Sequence, residues 1–408
     1  MPLLRDDYRL LHRALDLAKA TAAFASPNPA VGCVLTRGNE VLGEGAHRYD
    51  FRDHAEIAAL KQAAALGHDV HGATAYVTLE PCSHHGRTGP CADVLAAAGI
   101  ARCVIATVDP NPEVRGGGIR KLTAANIDVE IADPAAGIAQ AARRLNDAFA
   151  FSIQHGRPFV TLKAAVSADG KLAPDPTART AQAPHWITGP AARADVQQLR
   201  HASDAILTGI GTVLADNPAL TDRTGLPRRR PLLRIVLDSQ LRTHVDSALV
   251  RSAKNNLLLI AAAATDPLRA QSLAQRGVEV VQLPDISHDS PLNHTEALKI
   301  ILRDVLPPRG IRGVLAEGGS TLNGALLAAD LADKVILYRG PDPLGPKAIP
   351  FAHSLDQDQV QPPFGAWLRR LTDLSEATFP HGDREDVRYS GYLHDPWTTI
   401  DSSPLDRT

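Results

Sequence analysis

A chain of 408 residues, 44% of them hydrophobic, is long enough for two or three ordinary domains and apolar enough to give each a core. A formal net charge of −2 and an aromatic content of 4% argue against a protein that binds nucleic acid by sequence-independent attraction, which depends on neutralising phosphates. No apolar run reaches membrane-span length, Asp6 and Asp7 stand where a secretory leader needs an apolar stretch, and four cysteines are too few for a disulfide scaffold, so a cytoplasmic protein with neither membrane nor nucleic-acid partners is expected.

In chain order, residues 7–24 carry Leu10, Leu11, Ala14, Leu15, Leu17 and Ala18 on one stripe, which predicts an amphipathic helix. Residues 30–35 and 40–45 flank the turn residues Arg37, Gly38 and Asn39 and predict a hairpin. A helix over 53–66 starts just before His54, and a strand over 74–79 ends at Pro81-Cys82. Next come a helix at 92–98, a strand at 103–108, a helix at 116–125, a short strand at 129–131 and one continuous helix at 135–151. The polar punctuation His155-Gly156-Arg157-Pro158 marks a boundary, with residues 1–154 as the first domain. Beyond it, apolar runs of strand length at 159–165, 205–208, 233–237, 257–261, 278–283, 313–316 and 334–338 alternate with helical or loop segments, the spacing of a mostly parallel sheet covered on both faces. Residues 155–395 are read as the second domain and 396–408 as a disordered tail. The basic run Arg228-Arg229-Arg230 between two prolines reads as a solvated loop.

His54-Ala55-Glu56, Pro81-Cys82 and Cys91 form the most specific motif. One imidazole and two thiolates can hold a zinc ion and leave its fourth tetrahedral position open to water, which is the arrangement of a catalytic site. Glu56 is then placed to move protons without being a ligand, as in zinc nucleoside and nucleobase deaminases. Both ligand sets fall near predicted helix starts, where backbone donors favour thiolate over thiol. The usual Pro-Cys-x-x-Cys is lengthened, with eight residues between Cys82 and Cys91. That loop carries His84, His85 and Arg87, and the planar guanidinium fork of Arg87 suits a phosphate, so an anionic, nucleotide-like substrate is expected.

The strings SNPAVGCVL, HAEIAAL, ATAYVTLEPCSHHGRTGPC and VDPNP resemble the N-terminal half of the bifunctional riboflavin-biosynthesis deaminase/reductase family, RibD or RibG. TLKAAVSADGK, HWITG, AILTGIGTVLADNPALTDR, RIVLDSQ and LAEGGSTLNGALL are similar to its reductase half, so the resemblance spans nearly the whole chain. It implies an α/β protein of two three-layer α/β/α domains, cytidine-deaminase-like and then dihydrofolate-reductase-like. It further implies Zn2+ and NADPH as cofactors, hydrolytic deamination of a phosphoribosylated pyrimidine, reduction of its ribosyl group to ribityl, and a homo-oligomer, dimer or tetramer. Under the resemblance His54, Cys82 and Cys91 are the metal ligands, Glu56 is catalytic, and Asn28, His47, His84 and Arg87 match positions that contact the pyrimidine and its phosphate.

Two glycine-rich turns carry the reductase reading. Ala316-Glu317-Gly318-Gly319-Ser320-Thr321 follows a predicted strand and opens a helix, so its amides can receive a pyrophosphate, although the Gly-x-Gly-x-x-Gly spacing is absent. Thr208-Gly209-Ile210-Gly211-Thr212 is a second such strand end, and two at one sheet edge make a dinucleotide cleft. Carried over from the family, Ala165, Trp186, Thr212, Asp216, Ser239 and the run Gly319, Ser320, Thr321, Leu322, Asn323, Gly324 and Ala325 correspond to cofactor-contacting positions. Arg200, Leu220, Arg223 and Glu317 correspond to substrate contacts, the arginines suited to clamp a ribose phosphate and the carboxylate to orient hydroxyls. Lys163 and Asp216 are candidates for assisting proton transfer. A turn capped by Asp216 and a core position for Trp186 are the structural alternatives.

The chain departs from the family at Pro184, where a small hydroxyl residue is usual, and at Arg339-Gly340-Pro341-Asp342-Pro343. These departures keep open a deaminase whose second half is a non-catalytic binding or dimerisation module. A nucleic-acid-editing deaminase is a further alternative, opposed by the low aromatic content and balanced charge.

Overall fold

The computed structural model describes residues 3–84, 89–175, 177, 186–262, 265–284, 291–353 and 368–398. The chain separates into one unit of Met1–Arg157 with Pro227–Arg230 and Pro396–Thr408, and a second of Pro158–Leu226 with Pro231–Asp395. Among the described residues, no helix is long and apolar enough to cross a membrane.

The first unit runs α1 (Arg5–Ala25), β1 (Gly32–Arg37), β2 (Glu40–Ala46), α2 (Ala55–Ala65), β3 (Thr74–Val77), α3 (Cys91–Ala97), β4 (Arg102–Ile105), α4 (Gly117–Ala124), β5 (Asp128–Ile131), α5 (Gly137–Leu145) and α6 (Asp147–His155). Its sheet has the order β2-β1-β3-β4-β5, antiparallel around β1 and parallel from β3 to β5. The stripe of α1 (Leu10, Leu11, Ala14 and Leu15) packs with Ile138 and Ala142 of α5 on Val34, Tyr76 and Val104. The opposite face, Cys33, Leu35, Val77, Cys103 and Ile105, is covered by Ala59 and Ala63 of α2, Leu95 of α3 and Leu122 of α4. Close approach of α2 requires glycine in β2, since a Cβ on Gly45 would lie 2.3 Å from the Ala55 carbonyl oxygen. The first turn of α2 is thereby pressed onto the sheet with His54 at its N-cap.

Two expectations for this unit are corrected. The helix predicted as continuous over 135–151 is two helices, broken at Asn146. The Asn146 side chain accepts from the Ala30 amide at 2.8 Å and donates to its carbonyl at 3.0 Å, a backbone-like pairing of the kind that draws Asn out of helices. The predicted disordered tail is packed at its start. Trp397 is 2% exposed, clusters with Val108 and Ala150, and donates from Nε1 to Asp147 at 3.0 Å; residues 399–408 lie outside the described residues.

The second unit contains β6 (Phe159–Val166), β7 (Lys171–Ala173), α7 (Pro190–Ala202), β8 (Ala205–Gly209), α8 (Ile210–Asp216), β9 (Leu233–Leu237), α9 (Ala248–Arg251), β10 (Leu257–Ala261), α10 (Pro267–Ala274), β11 (Val278–Gln282), α11 (Pro291–Ile300), β12 (Gly313–Ala316), α12 (Ser320–Ala328), β13 (Lys334–Arg339), β14 (Ile349–Pro350), β15 (Thr372–His381) and β16 (Arg384–Tyr392). Its nine-stranded sheet has the order β11-β10-β9-β8-β12-β6-β13-β16-β15. All seven predicted strands are present and parallel, buried between two apolar clusters. The hairpin β15–β16 adds an antiparallel edge that the sequence reading did not include. Both units are mixed α/β structures with helices flanking sheets, the expected fold class.

Trp397→Ala should destabilise the full-length protein by roughly 3–5 kcal/mol, the range for emptying a buried aromatic site. Denaturant unfolding checks this; a change below about 0.5 kcal/mol, typical of surface substitutions, would contradict the packed position.

Candidate active sites

Three segments of the first unit bring the predicted ligands together. His54 caps α2, Cys91 is the first residue of α3, and Cys82 lies in the connection between β3 and α3. Cys91 Sγ and Cys82 Sγ lie 3.3 Å and 3.5 Å from His54 Nδ1, and the Cys91 amide donates to Cys82 Sγ at 3.3 Å. All three ligand atoms fall within 4.8 Å of one another. Ligands bound at zinc distances in a tetrahedron sit roughly 3.5 Å apart, so this donor set fits the ion. Hydrogen bonds from Cys91 and His54 hold Cys82 well below the usual thiol range, while Cys91 is pushed up by the same pairing and by burial.

Glu56 lies in the first turn of α2, 3% exposed. Burial, with the Cys82 thiolate nearby, pushes its carboxyl up to about 7, within reach of both protonation states near neutral pH. His47 is buried, which lowers its affinity for a second proton. Its Nδ1 contacts the Asp53 carbonyl at 2.8 Å and its Nε2 meets Asn28 Nδ2 at 3.2 Å. A carbonyl beside Nδ1 and an amide donor beside Nε2 select the neutral Nδ1–H tautomer. The ring packs edge-on to His54 at 5.3 Å, so His47, with Asn28 on its Nε2, stands beside the candidate ligand cluster. His84 is exposed, and Arg87 lies outside the described residues.

Sequence reasoning assigned no role to Glu80, although it directly precedes Pro81-Cys82. Its buried carboxylate accepts backbone N–H groups from Asp109, Gly116, Gly118 and Ile119. An acidic residue inside an otherwise apolar strand end was the available signal.

In the second unit a cavity of about 450 Å³ opens at the C-terminal ends of β8, β9, β10 and β12, where ligands of parallel sheets bind. Of the predicted cofactor positions, Thr212, Ser239, Gly319, Thr321, Leu322 and Ala325 line it. Ser320, Asn323 and Gly324 are not among its lining residues. Asn323 donates to the Phe351 carbonyl at 2.9 Å, and a Cβ on Gly324 would sit 1.8 Å from the His353 carbonyl oxygen, so this side of α12 packs on the 351–353 segment. Ala165 also lies off the cavity, in β6 opposite Tyr338. Trp186 is 60% exposed, with the Arg193 guanidinium 4.7 Å above its ring, which removes the core alternative. Asp216 is the exposed last residue of α8 and does not line the cavity. Asp238, to which no role was given, does line it; fully buried, it accepts from the Arg242 and Thr243 amides.

Lys163, Arg200 and Glu317 form a largely buried cluster. Arg200 donates to both Glu317 oxygens, at 2.7 Å and 2.9 Å, and to the Thr221 carbonyl at 3.0 Å; Lys163 Nζ is 3.8 Å from Glu317. Burial lowers Lys163. Burial alone would raise Glu317, but Lys163 and Arg200 outweigh it and hold the carboxylate below its usual range. The expected pair of phosphate-clamping arginines is thus divided: Arg200 commits its fork to Glu317, while Arg223 is exposed. Leu220 is buried with φ of +51°, next to the carbonyl that Arg200 holds. Pro184 lies outside the described residues; at the other departure, Asp342 pairs with both terminal nitrogens of Arg384.

Comparison with known proteins matches residues 4–107 to the cytidine and deoxycytidylate deaminase zinc-binding region and residues 158–373 to the RibD C-terminal domain. The chain is 39% identical to the riboflavin biosynthesis protein RibD of Escherichia coli K12 over 357 residues, covering 85% of this chain and 90% of the relative. It is also 39% identical to the Actinobacillus pleuropneumoniae protein of the same name over 344 residues, covering 84% and 85%. Among solved structures, RibD from Acinetobacter baumannii superposes with a TM-score of 0.74 at 32% identity, covering 96% of this chain and 99% of that one. A diaminohydroxyphosphoribosylaminopyrimidine deaminase/5-amino-6-(5-phosphoribosylamino)uracil reductase from Thermotoga maritima gives a TM-score of 0.73 at 32% identity, covering 95% and 98%.

Metal analysis of purified variants tests the division between ligands and proton carrier. Cys82→Ser and Cys91→Ser should lose zinc, whereas Glu56→Gln should keep close to one zinc per chain, losing only deamination; a folded Glu56→Gln protein devoid of zinc would reverse the assignment.

Proposed function

The chain belongs to the RibD family of bifunctional riboflavin-biosynthesis deaminase/reductases, and from that premise we propose that it performs both reactions on one phosphoribosylated pyrimidine. The substrate is 2,5-diamino-6-(5-phosphoribosylamino)pyrimidin-4-one. Deamination and then NADPH-dependent reduction yield 5-amino-6-(5-phosphoribitylamino)uracil. The observation that carries this reading is that one chain holds both the His54/Cys82/Cys91 cluster with Glu56 beside it and the Lys163/Arg200/Glu317 cluster in a unit with an open cleft.

For deamination, a zinc ion held by His54, Cys82 and Cys91 would supply a water acidified toward neutral pH. Glu56 receives a proton on its carboxylate and delivers it to the departing amine; its raised affinity suits both halves of that task. Asn28 and neutral His47 orient the pyrimidine edge, and His84 and Arg87 meet its phosphate tail.

For reduction, NADPH would supply hydride, with its phosphates at the Gly319–Ser320 helix start and its body along Thr212 and Ser239. That hydride would add to C1′ of the ribosyl group as its C1′–O4′ ring bond opens, and Lys163, largely buried and inclined to release its proton, would protonate the freed ring oxygen. Arg200 keeps Glu317 ionised and fixed for the ribosyl hydroxyls, Leu220 shapes the wall, and exposed Arg223 takes the phosphate. The exposed position of Asp216 leaves Lys163 as the stronger candidate for proton transfer. On this reading residues 1–154 and 155–395 are the two catalytic domains of a cytoplasmic homo-oligomer.

Arg200→Ala should lower kcat/KM for reduction of the deaminated pyrimidine by roughly 10- to 150-fold, the equivalent of a charged hydrogen bond, and leave ammonia release unchanged. Nicotinamide absorbance and an ammonia assay on the full-length protein separate the two; equal loss of both activities would contradict the assignment.

A further inference from the structure

We propose that Glu80 is a positioning residue for the metal centre, holding Cys82 in its ligating place before any metal arrives and so setting the affinity and lifetime of bound zinc. The inference rests on the reading of His54, Cys82 and Cys91 as zinc ligands and goes beyond it, since Glu80 is not one of them.

The geometry points to this residue because its two oxygens each gather two backbone donors. Oε2 accepts from the amides of Asp109 at 3.2 Å and Gly116 at 3.0 Å; Oε1 accepts from Gly118 at 2.9 Å and Ile119 at 3.3 Å. The carboxylate thereby serves the start of α4, where Gly116 is the N-cap with φ of +73° and offers no side chain of its own. Such N–H groups otherwise lack partners inside the helix, and an anion is favoured there. The Glu80 amide in turn donates to the Thr107 carbonyl at 3.0 Å, so the residue is tied at both backbone and side chain.

What is fastened in this way is the ligand loop. Gly118 lies so near Pro81 that a Cβ would come within 1.8 Å of the Pro81 carbonyl oxygen, and one on Gly117 would reach 2.4 Å from Ser83 Oγ. The start of α4 is therefore a floor directly beneath Pro81-Cys82-Ser83, and Glu80 anchors that floor to the residue preceding them. From the other side the Cys82 carbonyl accepts from Ala92, in the first turn of α3 that begins with Cys91. Cys82, which sits in no regular element, is clamped between two helix starts. Partners behind a ligand commonly contribute 10- to 100-fold to metal affinity by fixing its orientation.

The test compares zinc affinity by chelator competition in the full-length protein. Glu80→Gln keeps the shape but places an amide group against two N–H donors, and should weaken zinc binding roughly 10- to 100-fold and alter the visible absorption of the Co2+-substituted site. Unchanged zinc affinity and Co2+ absorption, even with a lowered Tm, would overturn the proposal and leave Glu80 a purely structural residue. Glu80→Asp, which retains the charge one methylene short, should give an intermediate zinc affinity, and a value equal to the unsubstituted protein's would also overturn it. A second measurement needs no variant: after zinc is stripped from the unsubstituted protein, the amides of Asp109, Gly116, Gly118 and Ile119 should remain protected from hydrogen exchange. Their opening on zinc removal would mean that the metal organises the loop, the reverse of this proposal. Failure of the unsubstituted chain to bind zinc at all would instead defeat the underlying ligand assignment.

Discussion

A tetrahedral metal site tolerates only small errors in the placement of its ligands, and here the three candidate ligands, His54, Cys82 and Cys91, come from three separate segments of chain. Their convergence depends on how closely two helix starts can be pressed onto one five-stranded sheet. Glycine in β2 lets α2 descend until His54 reaches the two cysteine sulfurs, and the paired cysteines meet because the Cys91 amide at the head of α3 donates to Cys82 Sγ. The sheet is the common reference for all of them. Small residues facing α2 are one condition of that convergence.

The second unit solves a different problem with the same materials. A dinucleotide needs a long cleft with free backbone donors, and parallel strands ending at one edge provide it without dedicated side chains. At Lys163, Arg200 and Glu317 two cations flank one largely buried anion. Leaving any one of these unpaired in a buried setting would be costly, which makes the cluster rigid and the orientation of Glu317 dependable.

The parts of the fold that were legible in the sequence are those in which local pattern and final burial coincide. Leu257–Ala261 is apolar at every position because it is buried on both faces, and it reads as a parallel strand without further information. The β15–β16 hairpin was not legible because Thr372–His381 is largely exposed and carries no apolar alternation. The break at Asn146 and the burial of Trp397 escaped for another reason: their partners, Ala30 and Asp147, are 116 and 250 residues away. The candidate sites divide in the same way. His54, Glu56, Cys82 and Cys91 carry their chemistry in their side chains and were recognisable from type and spacing. Glu80 accepts from backbone amides, so its only trace in the sequence is an acidic residue in an apolar strand end, which does not name its partners. Motif resemblance marks the run from Gly319 to Ala325 as a whole, whereas a helix has two sides: Gly319, Leu322 and Ala325 recur on the cleft side, and Ser320, Asn323 and Gly324 on the other.

The central claim is that two independent chemistries, one metal-dependent and one not, reside in this single chain. It is tested most directly by following ammonia release and NADPH oxidation together, in zinc-loaded and zinc-stripped protein. With the diamino substrate, loaded protein should release one ammonia for each NADPH oxidised, and stripped protein should do neither. Given the deaminated pyrimidine instead, both preparations should oxidise NADPH at the same rate. Loss of that second activity on zinc removal, or its absence from the loaded protein, would contradict the account.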